Sequence, residues 1–173
     1  VDDVATRQEH LTETQQKELA DVLRKHTNLF SGKIGTYPHR KFHIDIDPDA
    51  EPKRFRPYGI PIIQQGPMKT ELDHMVACGI ISMIDSSDWA SPSFVVAKKD
   101  FRVRVICDLR ELNKVIKRRP YPLPNIMEIL RKRTGYEFFT KLDISQHYYT
   151  FELDEESSDL CAFITPFGMY KYN

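Results

Sequence analysis

Several large classes of protein are excluded by what this 173-residue sequence does not contain. It has no apolar run long enough to cross a bilayer, so no membrane span or membrane partner is expected. No basic stretch followed by an apolar one stands near its start, as a secretory signal requires. The three cysteines, Cys78, Cys107 and Cys161, are odd in number and widely spaced, with no C-x-x-C among them. That pattern argues against a disulfide scaffold and against a zinc site. Thiols left free suit a reducing, intracellular setting. The six histidines are scattered without metal-ligand spacing. No Asp-Ser/Thr-Gly accompanies Asp45 and Asp47, which excludes an aspartic protease. There is no internal repeat and no low-complexity tract. What remains has the size of one ordinary domain, or of one piece of a larger protein, with 40% hydrophobic residues and room for a core.

An overall excess of charge is missing too: 25 basic and 25 acidic side chains give a net charge of zero. The sum conceals segregation. Residues 1–97 hold 11 basic and 14 acidic side chains (net −3), residues 98–133 hold 12 and 4 (net +8), and residues 134–173 hold 2 and 7 (net −5). The central block runs from Lys98 and Lys99 through Arg102, Arg104 and Arg110 to Arg133. Cations at that density are what a phosphate-binding surface needs, because each contact releases a condensed counterion. In an arbitrary protein, a solvated face paired with the acidic flanks is the commoner origin of such a block.

Local patterns predict short, mixed elements. Thr12 and Gln15 form a capping-box pattern, and Leu19, Val22, Leu23 and His26 recur at helical spacing, which predicts an amphipathic helix over about 12–27. Alternation over 42–46 predicts a half-buried strand. Pro48, Pro52, Pro57, Pro61 and Pro67 then predict a connecting arm rather than a sheet interior, since proline lacks the amide donor. Pro67 suits the first turn of a helix whose apolar face is Met68, Leu72, Met75 and Val76, with Gly79 as its stop. Residues 80–84 read as a short buried run. Residues 94–97 and 103–107 read as a hairpin with a basic tip. A short helix capped by Asn125 is predicted over 125–133, and strands over 138–144, 149–153, 161–165 and 168–172. Asp154, Glu155, Glu156 and Asp159 read as a solvated acidic turn. Short strands and helices without a β-α-β rhythm indicate an α+β fold rather than a doubly wound α/β one.

The residue with most chemical promise is Asp143, at the end of the apolar 138–142 run. A carboxylate there is costly unless it is paired or holds a cation. On spacing alone, an aspartate capping the turn that follows is the commoner reading. Tyr148, five residues on, can pack on a sugar or base, or simply fill a core.

Five ordered segments then carry a resemblance: Gly79-Ile-Ile81, Ser91-Pro-Ser-Phe-Val-Val-Ala-Lys-Lys-Asp100, Arg104-Val-Ile-Cys-Asp-Leu-Arg-Glu-Leu-Asn113, Tyr121-Pro-Leu-Pro-Asn125 and Phe139-Thr-Lys-Leu-Asp-Ile-Ser145. In this order they resemble the reverse transcriptases (RNA-directed DNA polymerases) of gypsy-type LTR retrotransposons, over about residues 42–173. The resemblance implies a right-hand polymerase: fingers over 37–118, a first palm segment over 119–150, and a fingers continuation over 151–173, behind a variable segment over 1–36. It implies that Asp143 and the backbone carbonyl of Ile144 bind metal, two Mg²⁺ or Mn²⁺ ions acting in the complete enzyme. Lys98 or Lys99 and Arg104 match the cations that hold an incoming dNTP, and Tyr148 the residue beneath its sugar. Asp108 and Arg110 match positions near the template. The implied partners are an RNA or DNA template-primer, dNTP and the rest of a Pol polyprotein, in a cytoplasmic virus-like particle or the nucleus. Two departures stand out: His147 where the family commonly has a small residue, and Phe101 where a glycine often turns the hairpin tip.

The family's second catalytic motif, Tyr-x-Asp-Asp, is missing from these 173 residues. The expectation is therefore a polymerase fragment with fingers and an incomplete palm, inactive by itself. The alternatives are a non-catalytic nucleic-acid-binding module or degraded retroelement remnant, which would use the basic block without Asp143, and an α+β interaction domain whose basic block is ordinary surface.

Overall fold

The computed structural model describes residues 2–99 and 102–173, so Phe101 and the very tip of the basic hairpin lie outside the described residues. The chain divides into two compact units, Val1–Gly35 and Thr36–Asn173. The fold is α+β, and among the described residues no helix is long and apolar enough to cross a membrane.

In the first unit, helices α1 (Asp2–Thr6) and α2 (Glu13–Lys25) pack through the buried Ala5 and Ala20. The capping box forms as its residues predict. The Gln15 amide donates to Thr12 Oγ1 at 3.3 Å and the Thr12 amide to Gln15 Oε1 at 2.9 Å, so the first turn of α2 has partners for donors that no helix can supply internally. Arg24 ties the two helices, reaching Asp2 at 2.6 Å and Asp21 at 2.7 Å.

The second unit is built on one five-stranded sheet with spatial order β1-β5-β4-β2-β3. Its strands are β1 (Ile81–Ile84), β2 (Ser91–Ala97), β3 (Val103–Cys107), β4 (Ala162–Thr165) and β5 (Gly168–Tyr172). Neighbours pair antiparallel except at the centre, where β2 and β4 run parallel through Ser91↔Phe163 and Pro92↔Ile164. The predicted hairpin forms as β2 and β3, with Phe94 opposite Ile106 and Val96 opposite Arg104.

Helix α3 (Ile62–Ala77) lies against β1, β2 and β3 and buries Met68, Leu72 and Met75. It begins five residues earlier than its proline suggested, with Pro67 inside it. Pro67 forfeits one amide bond near the open end of the helix, and the exposed first turn accommodates that loss. Gly79 ends the helix in the left-handed region at φ +72°, its amide on the Val76 carbonyl at 2.9 Å. A side chain at that backbone setting would be strained.

Between these elements the proline-rich arm is pinned at single points rather than along strands. Phe42 bridges Leu153, Ile46 bridges Ile116, and Arg54 bridges Ala90. The predicted strand over 42–46 is thus reduced to its two ends, because its partners 116 and 153 belong to different segments. The arm seals a small core of Trp89, Leu112 and Cys161, against which Ile44, Ile46 and Ile116 pack. Two short helices form that the local patterns did not predict: α4 (Arg110–Val115) and α6 (Glu155–Leu160). In α6 the expected acidic turn is a capped helix. Asp154 accepts from the Ser157 amide at 2.9 Å, while Ser157 and Ser158 are buried. The helix predicted after Asn125 forms as α5 (Ile126–Arg131), with Asn125 Oδ1 accepting from the Met127 amide at 2.8 Å.

The predicted strand over 138–144 does not form, and 149–153 yields only a 3₁₀ turn at His147–Thr150 and the lone Leu153 bridge. Every residue over 117–148 is exposed. No described strand lies alongside 138–144 to take its backbone hydrogen bonds, and an isolated strand in water is not stable.

Phe163 lies wholly buried beside Tyr170 and Tyr172, with ring centroids 5.8 and 5.3 Å away. Phe163→Ala is expected to cost about 3–5 kcal/mol in denaturant unfolding, whereas Phe138→Ala on the exposed segment should change stability by less than about 0.5 kcal/mol. A pH dependence also follows. His43 Nδ1 lies 2.6 Å from Asp154 Oδ2, and Nε2 lies 3.4 Å from Asp45. The Asp154 hydrogen bond raises the His43 pKa. The Ser157 contacts, with His43 helping, hold Asp154 down to about 2. The histidine's contribution is present below 6.5 and lost as pH rises through its raised folded value. That of Asp154 is present above 3.8 and lost as pH falls towards about 2. Thermal melts should therefore show the pair's contribution between these limits, and His43→Gln should flatten the decline on the alkaline side.

Candidate functional site

The best-organised polar cluster forms where β3 gives way to α4. The Asp108 amide donates to the Pro92 carbonyl at 2.8 Å, so the chain leaving β3 stays tied to the start of β2. The Asp108 carboxylate then accepts two bonds from the Arg110 guanidinium, Nε to Oδ1 at 2.8 Å and Nη2 to Oδ2 at 2.6 Å. A third comes from the Tyr58 hydroxyl at 2.9 Å. The Arg110 guanidinium, helped by Tyr58 against partial burial, holds the Asp108 carboxyl well below the usual carboxylate range. The two partners differ sharply in exposure: the Asp108 side chain is 11% exposed and that of Arg110 81%. A partly buried anion thereby aims an exposed cation outward, leaving guanidinium N–H groups free for a phosphate.

Alongside, Glu111 accepts from Lys114 at 2.6 Å and from Lys53 at 2.8 Å, and these cations hold its pKa down to about 2. Asp108, Arg110, Glu111, Lys114, Phe55, Tyr58 and Pro92 line a concavity of about 300 Å³. The basic block is thus partly compensated: Arg110, Lys114 and Arg119 sit in ion pairs with Asp108, Glu111 and Asp45. Tyr58, Glu111 and Lys53 escaped the sequence reading. An aromatic inside a proline-rich arm is the one signal the sequence offers for Tyr58, and it carries no period.

Lys98 and Lys99 follow β2, and the Lys98 amide bonds the Arg102 carbonyl at 2.7 Å. On β3, Val103 and Val105 are buried, so Arg104 between them is exposed on the opposite face, as strand alternation requires. Arg104 lies within electrostatic reach of the Tyr149 phenol, whose pKa is raised chiefly by burial. The fold therefore brings the hairpin cation near the segment that carries Tyr148.

Tyr148 itself is 89% exposed, on the 3₁₀ turn His147–Thr150. Gln146, before it, takes the left-handed region at φ 55°. That setting is uncommon for a residue with a side chain. The His147 ring meets Phe151 edge-on at 5.5 Å and Tyr148 at 6.0 Å. Asp143 and Ile144 are exposed, which corrects the picture of a carboxylate at the end of a buried strand. Among the described residues no three His, Cys, Asp or Glu side chains come together as a metal site. One carboxylate and one carbonyl are only part of the near-octahedral oxygen shell that Mg²⁺ demands, so these residues by themselves do not hold the implied ions. Burial pushes the thiol of Cys107 up to about 12 and that of Cys161 up to about 11, which disfavours the nucleophilic thiolate.

This geometry has known counterparts. Residues 96–172 match the family model for reverse transcriptase (RNA-dependent DNA polymerase), and the chain is a reverse-transcriptase segment of the retroelement Pol type. It is 30% identical, over a 173-residue alignment, to the retrovirus-related Pol polyprotein from transposon 297 of Drosophila melanogaster. That alignment covers 96% of this chain and 16% of the polyprotein. In fold it matches prototype foamy virus protease–reverse transcriptase with a TM-score of 0.85 at 23% identity, over 99% of this chain and 23% of that one. A foamy viral protease–reverse transcriptase in complex with an RNA/DNA hybrid matches with a TM-score of 0.79 at 18% identity, again over 99% of this chain and 23% of that one. The right-hand polymerase architecture expected from the motifs is thus the fold observed. Reverse transcriptases as a family use divalent metal ions.

Tyr58→Phe keeps the ring beside Phe94, 6.4 Å between centroids, and deletes only the hydroxyl bond to Asp108. An NMR titration should show the Asp108 pKa rising towards the ordinary carboxylate value, with a stability loss of about 1 kcal/mol or less.

Proposed function

We propose that this segment supplies the template-facing fingers surface and one metal-binding carboxylate of an RNA-directed DNA polymerase, with RNA or DNA template-primer and dNTP as its partners. The observation that carries this reading is the Asp108–Arg110 pair, locked by Tyr58 and presented from a sheet of reverse-transcriptase fold. Arg110 takes a template phosphate, and Asp108 positions it. Arg104, with Lys98 or Lys99, takes the nucleotide's phosphates. Tyr148 packs beneath its sugar. The exposure of Arg110, at 81%, and of Arg104 suits these roles, since a cation that must meet phosphate needs N–H groups turned to solvent.

Fingers then comprise residues 37–118 and 151–173, and the first palm segment 119–150. The continuous sheet that places β4 and β5 beside β2 supports grouping 151–173 with the fingers. Asp143 and the Ile144 carbonyl are the ligands this chain offers to two Mg²⁺ or Mn²⁺ ions. The remaining ligands are not among these residues, so the 173-residue chain by itself binds template-primer without extending it. The chain spans 16% of its transposon 297 relative, which supports a place within a larger Pol polyprotein.

Titrating the chain with a fluorescent primer–template at increasing salt tests this. Affinity should fall linearly on a log–log plot. Arg110→Ala should reduce the slope by about one, while Arg104→Gln, at a residue that meets the nucleotide rather than the template, and Asp143→Asn leave it unchanged. A wild-type slope in Arg110→Ala would overturn the assignment of the surface. Mg²⁺-dependent primer extension by the purified chain, lost in Asp143→Asn, would overturn the inactivity.

A further inference from the structure

A second concavity, of about 430 Å³, shares no residue with the Asp108–Arg110 cluster. Tyr37, Arg40, Phe42, Tyr148, Phe151 and Leu153 line it. Its volume falls within the range of small-molecule sites, which are mostly apolar with a few placed polar groups.

Two features make it a formed site rather than a chance dent. Backbone bonds staple its walls: the Tyr37 amide donates to the Thr150 carbonyl at 2.7 Å, the Phe42 amide to Glu152 at 2.7 Å, and the Asp154 amide returns to the Phe42 carbonyl at 3.2 Å. The rings also brace one another. Tyr37 lies 5.2 Å from Phe151 between centroids, and Phe151 meets His147 edge-on at 5.5 Å. A ligand entering would find the aromatic surfaces already ordered, which lowers the entropic cost of binding.

The one cation in the lining is Arg40. It is exposed and, among the described residues, its side chain makes no ion pair or hydrogen bond. Glu152, whose carbonyl accepts from the Phe42 amide, has its carboxylate held by Lys41 at 3.4 Å. Ring faces favour a flat apolar body, and an unspent guanidinium favours an anionic group at its edge. We propose that this cavity binds a planar aromatic anion, its rings against Tyr37, Phe42 and Phe151 and its anionic group on Arg40. A nucleoside monophosphate and a free aromatic acid share that chemistry. Tyr148 is shared with the nucleotide position of the polymerase reading, but the proposal needs no metal and no template, and its test at Arg40 reads a residue that reading does not use.

The test compares two fluorescent probes of the same ring skeleton, anionic 1-anilinonaphthalene-8-sulfonate and neutral N-phenyl-1-naphthylamine, on the full chain with methyl-labelled leucine. The sulfonate should shift the Leu153 methyl resonances. Arg40→Gln, whose melting temperature should match wild type, should weaken the sulfonate roughly threefold to tenfold and leave the neutral probe unchanged. Displacement by guanosine monophosphate would identify the nucleotide source, and displacement by 2-naphthoate the free-acid source. Equal sulfonate affinity in Arg40→Gln would overturn the proposal. So would shifts confined to Leu123, Leu130 and Leu142 on the exposed segment.

Discussion

The architecture of the second unit depends on a very short parallel seam. Two residue pairs, Ser91↔Phe163 and Pro92↔Ile164, join the β2–β3 hairpin to the β1-β5-β4 half of the sheet. Proline brings no amide to that seam, so side-chain chemistry has to help. The fully buried Ser93 donates its hydroxyl to the Ile164 carbonyl at 2.8 Å, which satisfies groups that would otherwise be costly to bury. The Pro92 carbonyl, for its part, accepts from the Asp108 amide. The contact that closes the sheet therefore also sets the start of the Asp108–Arg110 cluster, and the candidate surface inherits its geometry from the seam.

Charge organisation follows the same economy. A net charge of zero hides a basic block, and the fold spends only part of that block internally. Asp108, Glu111 and Asp45 each neutralise a cation at short range. These pairs are largely solvent-exposed on the cationic side, where an ion pair contributes little to stability. Their consequence is orientation: a half-buried carboxylate fixes where an exposed guanidinium or ammonium points. Arg104, by contrast, is set by strand alternation alone, standing between two buried valines.

The exposed run over 117–148 obeys the opposite logic. Phe138, Phe139, Leu142 and Ile144 are apolar, and Phe138, Leu142 and Ile144 fall on one strand face, yet nothing among the described residues lies alongside to accept their hydrogen bonds or cover their side chains. Asp143 sits inside this run, so the residue with the plainest chemical signature is the one with the least structural support. The left-handed Gln146 and the His147–Phe151 contact then turn the chain back, and order resumes with the Phe42–Leu153 bridge.

Much of the local structure was legible in the residues themselves. The Thr12–Gln15 capping box, the Asn125 cap, the Gly79 stop and the β2–β3 hairpin all formed as read, because each is decided by groups within a few positions of one another. The five ordered motifs were legible for the same reason, as was the class of protein. What only tertiary structure decided were matters of partner. The 42–46 strand dissolved into two bridges because its neighbours are different segments. The acidic turn became helix α6 because Ser157 and Ser158 found burial. Tyr58 joined Asp108 across fifty residues of chain. The 138–144 strand, fully patterned, did not form. A strand's propensity is local, but its hydrogen bonds are not, and a sequence states the first without stating who will supply the second.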